Sequence, residues 1–183
     1  MLPIVINKET ELRLLDTSYA EEMFSVLSDN RAHLDQWLRW SAQMQTVDDI
    51  RAHLERFEQN YANDNGFLVG IFVDDSLVGS VVCHYINHTS HKCEIGYWLA
   101  ESAVGKGLIT KSCLAVLKIL FEDKKLNRVE MQCGVDNKRS RAVPERLGFV
   151  HEGIKRESEW VTTRYVDHVV YSMLLREWMQ RKP

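Results

Sequence analysis

At 183 residues, with 45% hydrophobic and 27% charged side chains, the chain suits one globular domain with a real core. A formal net charge of −3 supplies no basic field for direct nucleic-acid binding, and no apolar run reaches the roughly 18 to 20 residues that cross a bilayer. Cys83, Cys93, Cys113 and Cys133 lack any C-x-x-C pairing and read as reduced thiols of a cytoplasmic protein, while the start "MLPIVINKET" has no basic, then apolar, signal-peptide pattern.

In chain order, "ELRLL" alternates and predicts a first strand, and "SYAEEMFSVLSD" predicts an amphipathic helix with Ser18 near its cap. "HLDQWLRW" is a short, tryptophan-bearing helical segment. A longer helix follows in "VDDIRAHLERFEQNYAN", where Val47, Ile50, Leu54, Phe57 and Tyr61 keep helical spacing. From Gly66 the period changes to two. "FLVGIFVDDSLVGSVVCHY" predicts a hairpin turning through Asp74-Asp75. "KCEIGYWLA" is a further strand, with Ile95, Tyr97 and Leu99 on one face and Glu94, Gly96 and Trp98 on the other. Helical spacing returns from Lys106 to about Lys124, with a stripe of Ile109, Cys113, Val116, Leu117 and Leu120. "RVEMQCGVD" is a strand, "KRSRAVPERLG" a short helix ending at Gly148, and "FVHEGIKRESEWV" and "RYVDHVVYSMLL" are two last strands. The order gives an α/β domain, 1–183, with a mainly antiparallel sheet interrupted by helical crossovers.

The stretch "AVGKGLITK" is the first candidate for chemistry. It fails the Walker A spacing, because Leu108 follows Gly107, and the dinucleotide fingerprint, because Thr110 stands where a third glycine is needed. What remains is strand, short loop, two glycines and a helix. Such a start leaves backbone N–H groups unpaired and suited to an anion, and glycine lets a pyrophosphate approach them. The loop alone equally fits a plain glycine turn.

The run from "EIGYWLA" through "ESAVGKGLITK" to "DNKRSRAVPERLGFVHEG" resembles the Gcn5-related N-acetyltransferase (GNAT) superfamily in order and spacing. The superfamily's Q/R-x-x-G-x-G/A loop is matched at Gly105 and Gly107, with Ser102 in place of the leading Gln or Arg. Asn137, Ser140 and Gly148-Phe149 occupy its downstream signature. "NRAHLDQWLRW" and "GFVHEGIKRESEW…RYVDHVVYSMLLREW" are similar to the ribosomal-protein N-terminal acetyltransferase branch, RimJ/RimL-like, so the likeness covers nearly the whole chain. The resemblance implies a GNAT fold. That is a mixed, mainly antiparallel, twisted sheet of about seven strands with helices on both faces, splayed at the central parallel pair. It further implies acetyl-CoA as co-substrate. The pantetheine arm would lie along Trp98, Leu99 and Ala100, the pyrophosphate on the amides of Val104, Gly105, Lys106, Gly107 and Leu108, and Asn137 would anchor the arm or the helix start.

Acetyl transfer needs a neutral amine, a stabilised oxyanion and help for the departing thiolate. Glu94, on the cofactor strand, is the candidate base, though a strand glutamate can be purely structural. The tyrosine that many superfamily members place seven residues after the motif asparagine is here Pro144. Ser140 is therefore the candidate beside the sulfur, with a self-bonded helix hydroxyl as the alternative. Trp37, Trp40, Trp160 and Tyr165 are candidates for the acceptor groove. "CHYINHTSHKC" is tempting as a metal cluster, but alternation puts Cys83 and His84 on opposite faces, so no metal is expected. Lys138, Arg139 and Arg141 form a basic run suited to solvent or to the cofactor's phosphate. The acceptor the resemblance implies is the N-terminal α-amine of a ribosomal protein. A small amine (polyamine or aminoglycoside) and a non-catalytic acetyl-CoA-binding module are the alternatives, and homo-oligomer formation stays open.

Overall fold

The structure, a computed structural model, describes residues 3–181. Two residues of the start read for a signal peptide, and the last two of the domain, lie outside them.

Eight strands form one sheet in the order β1-β2-β3-β4-β5-β6-β8-β7. They are β1 (Ile4–Val5), β2 (Thr10–Leu14), β3 (Phe67–Val73), β4 (Ser76–Asn87), β5 (Lys92–Leu99), β6 (Arg128–Gly134), β7 (Val150–Val161) and β8 (Arg164–Leu174). β1 is the strand beyond the expected seven. Two residues are too few for a period to register, and its pairing with β2 creates it. The β3–β4 hairpin turns through Asp74 and Asp75 as expected, both left-handed at φ 48° and 61°. Every pairing is antiparallel except β5 with β6, which pair through Lys92–Arg128, Cys93–Val129 and Glu94–Glu130 and then part.

Helices cover both faces. On one lie α1 (Ala20–Asp29), α2 (Arg31–Leu34) and α3 (Val47–Ala62). Ser18 lies near the cap as expected, one residue before Tyr19, the N-cap of α1, but the capping side chain is that of Asp16, whose carboxylate accepts the Ser18 amide and opens a 3₁₀ turn, Thr17–Tyr19. α3 starts at a capping box, with Thr46 accepting the Asp49 amide while Asp49 accepts that of Thr46. Its stripe of Ile50, Leu54 and Phe57 packs with Leu15, Met23, Leu27, Leu68, Phe72 and Trp98. Tyr61 has rotated to the surface.

α4 (Leu108–Lys118) and α5 (Lys138–Arg146) cover the other face, over a core that includes Ile95, Cys113, Leu117, Met131 and Tyr171. The helix expected to run to about Lys124 instead widens into a π turn, Ile119–Asp123, that keeps Ile119, Leu120 and Phe121 buried. α6 (Leu175–Met179) ends the described chain, its Trp178 stacked on Phe121 at 5.5 Å. Among the described residues no helix is long and apolar enough to cross a membrane.

Gly79 on β4 lies opposite Leu99 on β5. A methyl group there would lie 2.4 Å from the Trp98 carbonyl oxygen and 3.0 Å from the Leu99 Cα. Both are backbone atoms, so the strand itself would have to move. Gly79→Ala is therefore expected to destabilise by about 1–3 kcal/mol in urea unfolding. An unchanged midpoint would show that this spacing is slack.

Candidate active site

Where β5 and β6 part, a slot opens through the sheet. β6 is held over its full length by β8, from Arg128–Leu174 to Gly134–His168, and β5 by β4 up to Gly79–Leu99. Beyond Glu94 the two strands no longer share a ladder. The Ala100 amide donates to the Val78 carbonyl at 2.8 Å. Antiparallel alternation then turns the backbone groups of Trp98 and Ala100 toward β4 and those of Tyr97 and Leu99 into the slot. So of the three residues expected along a cofactor arm, Leu99 offers free backbone groups there. Trp98 and Ala100 do not, and Tyr97 is the residue that joins Leu99.

The glycine loop lies just beyond. Glu101–Ala103 makes a 3₁₀ turn that the Val104 amide closes onto the Glu101 carbonyl at 3.1 Å. The expected run of free amides therefore starts one residue later. From Gly105 to Thr110 no amide has a protein partner among the described residues, and α4 begins at Leu108 with no side-chain cap. Gly105 and Gly107 sit at φ 86° and 73°, where an L side chain is strained, and a Cβ on either would meet nothing within 4 Å. The loop is thus open above its amides, and Lys106 is exposed beside them. An anion carrying several oxygens fits this cradle on both geometry and helix polarity.

On the α4–α5 face of the slot, three side chains meet. Ser140 Oγ lies 3.2 Å from Tyr97 Oη and 3.2 Å from Cys133 Sγ. The Tyr97 hydroxyl donates to the Ser140 carbonyl oxygen at 2.9 Å. Asn137 caps α5, its side-chain oxygen accepting the Ser140 amide at 3.1 Å. Burial holds the Tyr97 phenol well above its usual pKa and raises the Cys133 thiol, so both stay protonated. Arg141 turns inward from its basic run, bonding the Val135 carbonyl and the Tyr171 hydroxyl, while Lys138 and Arg139 remain exposed.

Glu94 sits on the opposite face. Gln132 Nε2 donates to its carboxylate at 2.6 Å, bridging the slot where the backbone ladder has ended. Burial raises the Glu94 pKa. The Gln132 bond and the charges of Lys155 and His168 pull it down, and Glu130 pushes it up. Trp37 and Trp40 lie on this face. A Cβ on Gly134 would come within 3.6 Å of the Trp37 ring, and Trp40 stacks on His53 at 5.2 Å and meets the Trp98 ring edge-on at 6.4 Å. Burial pushes His53 down to about 4, so it is neutral. Trp160 and Tyr165 lie outside this cluster, paired at 4.9 Å on the exposed β7–β8 turn. That turn is tied to the end of α2 by the Thr162 hydroxyl donating to the Asp35 carbonyl at 3.0 Å.

Cys83 and Cys93 are buried while His84, His88 and His91 are exposed. Among the described residues no three His, Cys, Asp or Glu side chains are grouped to hold a metal.

A sheet split at one parallel pair, with an anion cradle at the mouth of the split and titratable groups on both sides of it, suits an enzyme that transfers a group from a phosphate-bearing donor. The chain belongs to the GNAT acetyltransferase family, whose profile, an acetyltransferase (GNAT) domain, matches residues 10–150. It is 36% identical over 183 residues, the full length of both chains, to YdaF of Bacillus subtilis, whose name proposes a ribosomal N-acetyltransferase. It is 27% identical to the ribosomal-protein-serine acetyltransferase of Escherichia coli, covering 94% of this chain and 96% of that one. Among solved structures it is similar to RimL, a ribosomal-protein α-N-acetyltransferase in complex with coenzyme A joined to a cysteine by a disulfide. The TM-score there is 0.92 at 26% identity, covering 96% of this chain and 99% of that one. It is also similar to MccE, a microcin C7 self-immunity acetyltransferase in complex with acetyl-CoA and AMP, with TM-score 0.87 at 27% identity and 94% coverage of this chain, 96% of that one.

The environment of Glu94 has a consequence for stability. A carboxyl whose folded-state pKa is raised binds its proton more tightly folded than unfolded. Its ionised form therefore weakens the fold above that pKa and costs nothing once both states are protonated. Glu94→Gln keeps an oxygen for Gln132 and removes the buried charge. It is expected to raise Tm at neutral pH, with the gain vanishing below about pH 4, where carboxyls are protonated in the unfolded chain as well. A lower Tm for the variant at neutral pH would contradict this sign.

Proposed function

We propose that the protein transfers acetyl from acetyl-CoA to the N-terminal α-amine of a ribosomal protein. The observation that carries the reading is the slot itself, with Glu94 on one face and Ser140 beside Cys133 on the other. An acceptor amine can approach from the first and a thiol can leave toward the second. The relatives named for ribosomal-protein acetylation support the acceptor class.

The thioester supplies an activated acyl group, and the chain does the rest. The amides from Gly105 to Thr110 bind the pyrophosphate, with Lys106 contributing charge. The backbone of Tyr97 and Leu99 binds the pantetheine arm as an added strand would. Glu94, kept more basic by burial, accepts the ammonium proton directly or through a water, and its bond from Gln132 fixes its direction. An α-amine with a pKa of about 8 asks little of such a base, whereas a lysine near 10.4 asks far more. Ser140 donates a hydrogen bond to the departing sulfur. Cys133 lies 3.2 Å from that hydroxyl, on the same side of the slot. Trp37 and Trp40 wall the acceptor side, with Trp160 and Tyr165 further out along the entry. Four buried, unpaired cysteines agree with a cytoplasmic location beside the ribosome.

A small-amine acceptor is the second reading; the structure of MccE, similar in fold, is recorded with a small molecule, AMP, as well as acetyl-CoA. Mass spectrometry of ribosomal proteins incubated with the enzyme and acetyl-CoA separates the two. One acetyl on a single N-terminal peptide is expected. Thiol release with small amines alone would replace the first reading by the second.

Gly105→Val puts a β-branched side chain at a left-handed position and over the anion cradle. Acetyl-CoA affinity should fall at least tenfold in calorimetry, and unchanged affinity would remove the pyrophosphate from this loop. Ser140→Ala should lower kcat by roughly ten- to hundredfold with acetyl-CoA affinity nearly intact, the low end of general acid–base assistance. Parent turnover would make Ser140 a helix-start residue only. Glu94→Gln should flatten the acidic limb of the pH–rate profile.

A further inference from the structure

Pro144 stands inside α5, four residues after Ser140. An α-helix bonds the amide of residue i to the carbonyl of residue i−4, and proline has no amide hydrogen, so the Ser140 carbonyl loses its helical partner. The partner comes from another element: the Tyr97 hydroxyl on β5 donates to that carbonyl at 2.9 Å. With its proton committed there, the same phenol oxygen turns its lone pairs toward Ser140 Oγ, 3.2 Å away. Ser140 is thereby held at its backbone and at its side chain by one atom, with Cys133 Sγ on its other side.

We propose that Tyr97 is the positioning residue for Ser140, aiming its hydroxyl at the sulfur that leaves during acetyl transfer. The inference rests on the reading of Ser140 given above. The Ser140 proton can rest on Tyr97 and swing to a thiolate when one appears, because a charged acceptor makes roughly twice as strong a bond as a neutral one. Tyr97 does not itself give up a proton, and its burial keeps the phenol protonated. Pro144 has a role in this even though it carries no chemistry. It frees the carbonyl that brings Tyr97 into place, at the position where many superfamily members carry a tyrosine of their own.

The test uses the full chain and four variants. Tyr97→Phe keeps the ring and removes the hydroxyl. It is expected to lower kcat about tenfold with acetyl-CoA affinity unchanged, and to add nothing further in a Ser140→Ala background. Tyr97→Phe with Pro144→Ala restores an amide for the Ser140 carbonyl while leaving Ser140 Oγ without its Tyr97 partner. Thermal stability should recover and kcat should not. If Pro144→Ala restores kcat as well, Tyr97 only satisfies a carbonyl and the inference is overturned. If Ser140→Ala is impaired but Tyr97→Phe is not, the inference fails alone. If Ser140→Ala turns over like the parent, the reading of Ser140 fails and the role of Tyr97 with it.

Discussion

The parallel ladder between β5 and β6 stops at Glu94 and Glu130, and the site is built around that interruption. Each strand has a stronger claim on it from its other side: β4 holds β5 to Leu99 and β8 holds β6 to Gly134. The twist of the sheet then carries the two apart, since beyond Glu94 no backbone ladder joins them. The backbone groups of Tyr97 and Leu99 are left facing a gap inside the protein. An unpaired backbone group there costs about 1–3 kcal/mol, so the gap favours a ligand that can add itself as a strand.

The same interruption lets chemistry occur on two faces at once. A continuous sheet would separate Glu94, under α1–α3, from Ser140, under α5. In the proposed reaction the slot lets them serve opposite ends of one transfer, with proton acceptance on one side and thiol departure on the other. Each end is held by a side-chain bond where the backbone bonds have ended, Gln132 to Glu94 and Tyr97 to Ser140. The groups proposed to act therefore sit on strands and a helix start rather than on loops, which is what positioning to within an ångström requires. Glu94 also shows the cost of this arrangement. Burial that makes it a better base makes its ionised form a burden on the fold.

The charge around the slot is mixed rather than uniform. Glu130, Lys155, His168 and Glu159 share the Glu94 face, with His168 3.6 Å from Glu159. Such a surface gives no long-range steering by one sign. In the proposed reading, recognition of the acceptor then falls to shape and to the aromatic walls, where a methyl group on Gly134 would lie 3.6 Å from the Trp37 ring.

The sequence by itself determined the order of elements, the Asp74–Asp75 turn, the glycine start of α4 and the inward stripe of α3. These are local matters, because a period of 2 or 3.6, a left-handed turn pair or a glycine before a helix is written within a few residues. The family resemblance added the splayed pair, which no local pattern encodes. Only tertiary structure decided that Tyr97 and Leu99, not Trp98 and Ala100, turn their backbones into the slot, because that parity follows from which residues of β5 bond β4. It alone placed Gln132 against Glu94, for the register of a parallel pair joined by a long crossover has no local signal. Tyr97 looked like one more core residue on an alternating strand. It became a partner of Ser140 because a proline 47 positions further on had left a carbonyl unbonded, a relation between distant residues that exists only once the chain has folded.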